Sequence, residues 1–175
     1  MREKTEYVLV DGYNVIFTWD HLRKLADSSL EDARLKLLDL LCDYQGYKRN
    51  TVIAVFDAHL IKGGTGFAEP YKNIYLVFTR EAETADNFIE RTAALLAKQD
   101  KVRVVTSDHL EQIIILGRGA IRVSASEFLR EMDQAKKEAR QRMADSKPVK
   151  NNPLIDLLDE KTAEQLERMR RDYDV

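Results

Sequence analysis

Short β-branched runs alternate with helix-like segments along this chain, and this alternation restricts the possible folds more than any other feature. Four apolar runs have the length of buried strands, at 7–10, 51–56, 74–78 and 102–106. Between them, apolar residues in 30–44 and 85–97 recur at helical spacing. This order predicts right-handed βαβ crossovers and a mainly parallel sheet. We therefore predict an α/β fold, a three-layer α/β/α domain.

The last third of the chain continues the pattern with shorter elements. A short helix is predicted at 110–116 and a brief strand at 120–123. Ser124 and Glu127 then have the spacing of a capping box, which predicts a long helix that ends near Met143. The predicted organisation is a domain at 1–146, a linker at 147–153 and a C-terminal helix within 154–175.

Composition limits the class of protein. The 175 residues carry 28 Lys and Arg against 30 Asp and Glu, which gives a net charge of −2. No apolar run approaches the ~20 residues that a membrane span needs, and the N-terminus has no signal-peptide core. Cys42 is the single cysteine and excludes an intramolecular disulfide framework. We expect a cytoplasmic protein with no membrane partner.

Charge is distributed unevenly along the sequence. Residues 115–150 hold nine Lys and Arg but only five Asp and Glu. A polyanion can dock on such a local excess of positive charge even when the net charge is negative. The segment is equally typical of a helix with a solvated, mixed-charge face. The sequence leaves both interpretations open.

Acidic residues follow the predicted strands. Asp11, Asp57 and Asp108 each come at or just after the end of a strand, and Glu83 and Asp86 follow another. In open α/β sheets the reactive crevice lies at the carboxyl ends of the strands. Closely packed carboxylates repel one another unless a cation neutralises them, and Mg²⁺ and Mn²⁺ prefer oxygen ligands. The pattern favours a metal site, although Asp is also common as a turn former and helix cap.

Other enzyme classes with this architecture are not supported by the sequence. A haloacid-dehalogenase-type phosphatase needs an acid two residues after its first Asp, where this chain has Tyr13. A receiver domain needs an acidic pair at the first strand, where Asp11 stands alone. The chain also contains neither a P-loop nor a GxGxxG motif. A metal-dependent nuclease remains.

Four motifs in sequence order carry a family resemblance. They are Val-Asp-Gly-Tyr-Asn at 10–14, Val-Phe-Asp-Ala-His at 55–59, Glu-Thr-Ala-Asp at 83–86 and Thr-Ser-Asp at 106–108. Together they resemble the NYN domain, a branch of the PIN-like nucleases, and within it the bacterial YacP-like proteins. The resemblance runs from about residue 7 to 140. A characterised YacP-like protein is a ribosome-associated endoribonuclease that cuts mRNA in the ribosomal A site during translation.

The resemblance implies a PIN-like fold and RNA cleavage that depends on a divalent metal. By position in the motifs, Asp11, Asp86 and Asp108 are the implied catalytic and metal-binding residues. Asp57 and Glu83 are the implied supporting acids, which would orient water at the metal. Further candidates, for contacts to RNA, are Asn14, Lys62, Arg80, Arg118 and Arg122.

The sequence therefore predicts an endoribonuclease that hydrolyses mRNA phosphodiester bonds with Mg²⁺ or Mn²⁺. Its expected partners are mRNA and the A site of the ribosome, with no DNA, and its expected state is a monomer. One alternative is a non-catalytic RNA- or ribosome-binding module in which the acids are structural caps. A second alternative is a metal-dependent phosphatase that acts on a small phosphoester.

Overall fold

The computed structural model of the chain describes residues 5–58, 66–107 and 119–145. The strands in these ranges are β1 (Glu6–Asp11), β2 (Thr51–Phe56), β3 (Phe67–Tyr71), β4 (Ile74–Phe78), β5 (Lys101–Val105) and β6 (Ile121–Val123). The helices are α1 (Gly12–Thr18), α2 (Asp20–Ser28), α3 (Leu30–Lys48), α4 (Ala85–Leu96) and α5 (Ala125–Asp145). The predicted helix at 110–116, the linker and the C-terminal helix lie outside the described residues.

The strands form one sheet with the order β3-β4-β2-β1-β5-β6. Every neighbouring pair is parallel except β3 with β4, so the predicted mainly parallel sheet is confirmed. In register, Asp11 of β1 lies opposite Val55 of β2, and Val10 lies opposite Val105 of β5. The carboxyl ends of β1, β2, β4 and β5 therefore meet at one edge of the sheet.

Helices cover both faces of the sheet, which gives the predicted three layers. Val8 and Val10 of β1 belong to a hydrophobic core that also contains Trp19 between α1 and α2, Leu37 of α3 and Phe128 of α5. Leu9 lies between them in sequence and belongs to a second core, with Ala85 and Ile89 of α4. This alternation follows from the period of two in a strand, and it buries residues 8–11 of β1 between the two helical layers.

Three elements were not predicted from the sequence, namely α1, α2 and β3. Trp19, at the junction of α1 and α2, is 2% exposed, and its Nε1 donates a hydrogen bond to the Ala125 carbonyl oxygen at 2.8 Å. Trp19 is therefore packed inside the protein and does not offer its ring to an RNA base. β3 is an edge strand of mostly exposed residues with Pro70 within it, which explains its weak sequence signal.

A polar cluster anchors α5 to the sheet. Both guanidinium Nη atoms of Arg103, on β5, donate to the carboxylate of Glu131, on α5. The hydroxyl of Tyr44, on α3, donates to Glu131 Oε1 at 2.7 Å. The hydrogen bonds from Arg103 lower the pKa of Glu131. Burial, and then the hydrogen bond to Glu131, raise the pKa of Tyr44 to about 12.

This cluster predicts a dependence of stability on alkaline pH. At neutral pH we expect Tyr44→Phe to lower the free energy of unfolding by about 2 kcal/mol, because a hydrogen bond to a carboxylate is lost. The folded state favours the protonated phenol, so this contribution is complete below pH 10 and is lost as pH rises through about 12. Urea unfolding at neutral pH and above pH 10 measures the difference.

The matched control for this prediction is Tyr75→Phe, because Tyr75 is half-exposed on β4. We expect that change to leave the free energy of unfolding nearly constant at both pH values. A gap between wild type and Tyr44→Phe that stays the same above pH 10 would contradict the assigned pKa shift.

The chain divides into two compact units, 1–139 and 140–175, and the second is described only as far as Asp145. Within the described ranges, the helices are too short or too polar to pass through a lipid bilayer.

Candidate active site

The edge formed by the carboxyl ends of the strands holds three of the predicted acids. Asp11 is the last residue of β1, Asp57 directly follows β2, and Asp86 lies in the first turn of α4. Alternation along β1 places Asp11 on the same face as Leu9, which is the face that α4 covers. Asp11 and Asp86 therefore share both an edge and a face of the sheet.

Asp11 has a structural role in addition to any chemical one. It is the N-cap of α1, and its Oδ1 accepts a hydrogen bond from the backbone N–H of Asn14 at 3.1 Å. Asp11 as a whole residue is also buried, at 8% exposure. The helix-cap interpretation that the sequence left open thus holds for one oxygen of Asp11. The cap also fixes the orientation of the carboxylate as a whole.

Asn14 connects this turn to the end of β5. Its Oδ1 accepts a hydrogen bond from the backbone N–H of Ser107 at 2.7 Å. Ser107 Oγ in turn accepts from the backbone N–H of Ala125, at the start of α5, at 3.3 Å. Asn14 therefore positions the segment that leads to Asp108, which itself lies outside the described residues. Contact between Asn14 and RNA stays a prediction.

The role of Asn14 gives a prediction for the amide of Ser107. We expect Asn14→Ala to raise the hydrogen-exchange rate of that amide and to lower the free energy of unfolding by about 1 kcal/mol. Asn14→Asp retains an acceptor oxygen, so slow exchange should persist in that variant. NMR hydrogen exchange measures both variants. Equal protection of Ser107 in wild type and in Asn14→Ala would show that this hydrogen bond does not position the segment.

Thr79 is a site-forming residue that the sequence did not indicate. It follows β4 and is buried. Its backbone N–H donates to the Phe56 carbonyl oxygen at 3.0 Å, and its Oγ1 accepts from the Ala58 N–H at 3.2 Å. These two bonds hold the residues on either side of Asp57. A threonine directly after a buried strand was the only available signal.

Glu83 and the predicted arginines do not form one cluster in the described part of the chain. Glu83 and Arg80 follow β4, and Arg122 lies in β6 on the far side of the sheet. Glu83 Oε1 lies 2.7 Å from Arg91 Nη1, and the Glu83 N–H donates to the Arg80 carbonyl oxygen at 2.8 Å. Arg80 is exposed just beyond β4, whereas Arg122 is exposed in β6, at the opposite end of the strand order. Lys62 and Arg118 lie outside the described residues.

The donor chemistry fits a hard divalent cation, because the candidate ligands are carboxylates. In residues 5–58, 66–107 and 119–145, no three His, Cys, Asp or Glu side chains lie close enough together to hold a metal ion. The predicted set includes Asp108, which is outside these ranges. Metal binding by Asp11, Asp86 and Asp108 therefore remains a prediction.

Comparison with known proteins decides the family. Residues 8–171 match the family described as YacP-like NYN domain. This chain belongs to that family. The predicted resemblance is confirmed, and the fold is PIN-like. Membership in this family suggests a nuclease-type domain. The match reaches residue 171, well beyond the four motifs.

Individual relatives agree with this assignment. The chain is 42% identical over 139 residues to "Uncharacterized protein YacP" of Bacillus subtilis strain 168, which covers 79% of this chain and 81% of that protein. It is similar to the crystal structure of Rae1 (YacP) from Bacillus subtilis, with a TM-score of 0.69, 39% identity and 97% of both chains covered. A tryptophan-to-leucine mutant of Rae1 gives a TM-score of 0.67 at 40% identity, over 82% of this chain and 86% of that one.

Proposed function

We propose that this YacP-like protein is a divalent-metal-dependent endoribonuclease that hydrolyses phosphodiester bonds of mRNA. The observation that carries the proposal is the placement of Asp11 and Asp86. Asp11 is buried and oriented at the end of β1, and Asp86 lies in the first turn of the helix that covers the same face. Membership of a family with a nuclease-type domain supports the same chemistry.

Each acid has a defined part in the proposed reaction. Asp11, Asp86 and Asp108 would hold Mg²⁺ or Mn²⁺. When bound, the cation supplies charge neutralisation at the scissile phosphate and lowers the pKa of water. Asp57, held between Phe56 and Ala58 by Thr79, orients the attacking water. Water attacks phosphorus and the 3′-oxygen leaves, so the downstream fragment carries a 5′-phosphate.

We propose the ribosome as the partner that selects the cleavage site, and the cytoplasm as the place where it acts. With a net charge of −2, the protein has little long-range attraction for free RNA. The net positive charge of residues 115–150 is local and includes Lys136 and Lys137, which are exposed on α5. A local patch of this kind suits docking on a large RNA surface better than capture of free mRNA.

A primer-extension map of a translated mRNA tests the proposal. Wild type, Asp86→Asn and a sample without protein are compared in a reconstituted translation system, and on the same RNA without ribosomes. Cuts that need ribosomes and disappear in the variant support the full proposal. Cuts on naked RNA support the nuclease and contradict selection by the ribosome.

Two further outcomes identify the alternatives. Co-sedimentation with ribosomes without any cuts would favour the binding module. Turnover of a chromogenic phosphomonoester, lost in Asp86→Asn, would favour the phosphatase.

A further inference from the structure

The segment that leads to Asp108 passes beyond the paired part of the sheet. The ladder between β1 and β5 ends where Val10 lies opposite Val105. Asp11 and Ser107, the residue before Asp108, both lie beyond that pair. Strand pairing therefore does not by itself fix where the segment leading to Asp108 lies relative to Asp11.

Three hydrogen bonds beyond the ladder connect α1 with the end of β5 and the start of α5. Asn14 Oδ1 accepts from the Ser107 N–H at 2.7 Å, and Ser107 Oγ accepts from the Ala125 N–H at 3.3 Å. The Ala125 carbonyl oxygen accepts from Trp19 Nε1 at 2.8 Å. Asn14 lies within α1 and Trp19 is its C-cap, so the bonds form a closed circuit that begins and ends on α1. These four residues, Asn14, Ser107, Ala125 and Trp19, are called the α1 clamp below.

Trp19 is the most firmly held member of the α1 clamp. Its indole stacks on the ring of Phe128, with 6.4 Å between centroids, and on the ring of His21, at 5.8 Å. Its backbone N–H donates to the Val15 carbonyl oxygen, and its own carbonyl oxygen accepts from the N–H of Arg23 at 2.8 Å. Trp19 therefore cannot move without moving α1, α2 or the start of α5.

The hydrogen bond from Trp19 to Ala125 is also shielded from water. Trp19 and Ala125 are both buried, so water does not readily replace the indole N–H as a donor to the Ala125 carbonyl oxygen. At the first residue of a helix the N–H has no partner within the helix, and Ser107 Oγ supplies that partner to Ala125. Ala125 thus connects Trp19 to Ser107 through the two polar groups of one peptide-bonded residue.

We propose that Trp19 is a positioning residue of the candidate active site, which holds Ser107, and through it Asp108, in place relative to Asp11. Trp19 acts through Ala125 and Ser107 rather than by contact with RNA. The inference rests on the proposed nuclease function, in which Asp11 and Asp108 bind the same cation. Side chains that share a metal ion must be held within about 0.5 Å of the productive geometry, so a small shift of the Ser107 segment lowers metal affinity.

A purely structural role is the alternative, because Trp19 also belongs to a hydrophobic core. Both roles predict that replacement of Trp19 lowers the free energy of unfolding. Only the positioning role predicts faster exchange of the Ser107 amide proton together with weaker metal binding. These two quantities therefore distinguish the roles.

Two replacements of Trp19 separate its N–H group from its size. Trp19→Phe removes the donor and leaves a smaller ring. The chain has a single tryptophan, so incorporation of benzothienylalanine in place of tryptophan changes Trp19 alone. In that analogue a sulfur atom replaces Nε1–H and both fused rings remain, so the donor is lost at nearly constant volume. Circular dichroism of the full chain establishes that each protein is folded.

The matched control is Tyr44→Phe. It also removes one buried side-chain donor of a hydrogen bond to α5, in this case to Glu131 Oε1 at 2.7 Å. Glu131 is six residues further along α5 than Ala125, and neither Tyr44 nor Glu131 belongs to the α1 clamp. Tyr44→Phe therefore destabilises the protein without changing the contacts of Ser107.

The first measurement is NMR hydrogen exchange of the Ser107 amide in the metal-free full chain. Ser107 is exposed, so its amide exchanges through local opening rather than through global unfolding. We expect exchange about fivefold faster in both Trp19 replacements, the factor that corresponds to one net hydrogen bond. Tyr44→Phe should exchange at the rate of wild type. Equal rates at Ser107 in wild type and in both Trp19 replacements would overturn the proposal.

The second measurement is the Kd of Mn²⁺ for the full chain without RNA, from electron paramagnetic resonance of the free ion. We expect both Trp19 replacements to raise this Kd about tenfold, the lower end of the effect of residues that orient metal ligands. Tyr44→Phe should leave the Kd unchanged. A tenfold weaker affinity in Tyr44→Phe as well would overturn the proposal, because it would attribute the effect to general loss of stability.

The inference and the proposed function can fail separately. A wild type that binds no Mn²⁺, with faster Ser107 exchange in the Trp19 replacements, would support the α1 clamp and contradict the proposed metal-dependent function. Mn²⁺ binding by wild type, with the same Kd in both Trp19 replacements, would contradict the inference alone. Weaker binding in Trp19→Phe but not in the benzothienylalanine protein would also overturn it, because ring volume and not the hydrogen bond would then be responsible.

Discussion

Replacement of Asp86 by asparagine is expected to lower the rate of RNA cleavage by at least about 100-fold while leaving the fold intact. Loss of a residue that only orients a metal ligand typically lowers metal affinity or activity about 10- to 100-fold. Loss of a ligand itself should therefore lower activity by at least about 100-fold. Asp86 is exposed in the first turn of α4, and the cap of that helix is Thr84, whose hydroxyl accepts from the Asn87 N–H. The change therefore removes a charge without removing the cap.

The expected effect of this variant on stability is small. A carboxylate near a helix N-terminus contributes about 0.3–1 kcal/mol through the helix dipole. Asp32→Asn is the matched control, because Asp32 also lies in the first turn of a helix with a hydroxyl cap, Ser29. Both variants should unfold at nearly the same urea concentration as wild type, and only Asp86→Asn should lose cleavage.

The same pair of variants tests whether RNA cleavage requires a divalent metal ion. We expect cleavage by wild type and by Asp32→Asn to stop on chelation with EDTA and to return on addition of Mg²⁺ or Mn²⁺. Asp86→Asn should need a higher Mn²⁺ concentration to recover any activity, because one ligand charge is missing. Unchanged turnover by Asp86→Asn at limiting metal would remove Asp86 from the mechanism.

The central layer of the fold could be predicted from local sequence alone. β2 and β4 begin and end at the predicted residues, because each is a β-branched or aromatic run between polar neighbours. The predicted capping box at Ser124 is also observed, with Ser124 and Glu127 bonded reciprocally, and it begins α5 one residue later. In these elements the local preference and the tertiary environment agree.

The parts that could not be predicted depend on contacts between distant segments. α1 and α2 are short, and Trp19 and Leu22 are buried against α5 and α3 rather than along one long amphipathic face. The carboxyl-end rule predicted which edge Asp11 and Asp57 share. It could not predict that Asn14 bonds to Ser107 or Thr79 to Ala58, because these pairs are 93 and 21 residues apart in sequence.

Substitution of Gly12 by alanine is expected to lower the free energy of unfolding by about 3 kcal/mol, the upper end of the usual range for an overpacked core. A Cβ at Gly12 would lie 2.2 Å from Cε1 and 2.5 Å from Cζ of the Phe56 ring. Phe56 is fully buried between Tyr13, at 5.1 Å in edge contact, and Phe78, stacked at 5.5 Å. The ring has no room to move away, so the strain falls on β1 and β2.

Gly46→Ala is the control, and it is expected to change the free energy of unfolding in the opposite direction. Gly46 lies within α3, and a Cβ there meets nothing within 4 Å. Alanine should therefore stabilise the protein by about 0.5–1 kcal/mol through helix propensity. Urea unfolding of the two single variants separates the clash from the general effect of exchanging glycine for alanine.

A second substitution tests whether the Phe56 ring is the cause. Phe56→Leu removes ring atoms at the point of contact, so it should recover part of the loss when combined with Gly12→Ala. In a double-mutant cycle the two changes should then be non-additive by more than about 0.5 kcal/mol. Additive losses in the free energy of unfolding would show that the Phe56 ring is not the cause of the destabilisation by Gly12→Ala. Gly12 follows Asp11 and Phe56 precedes Asp57, so the contact lies directly beside two of the candidate acids.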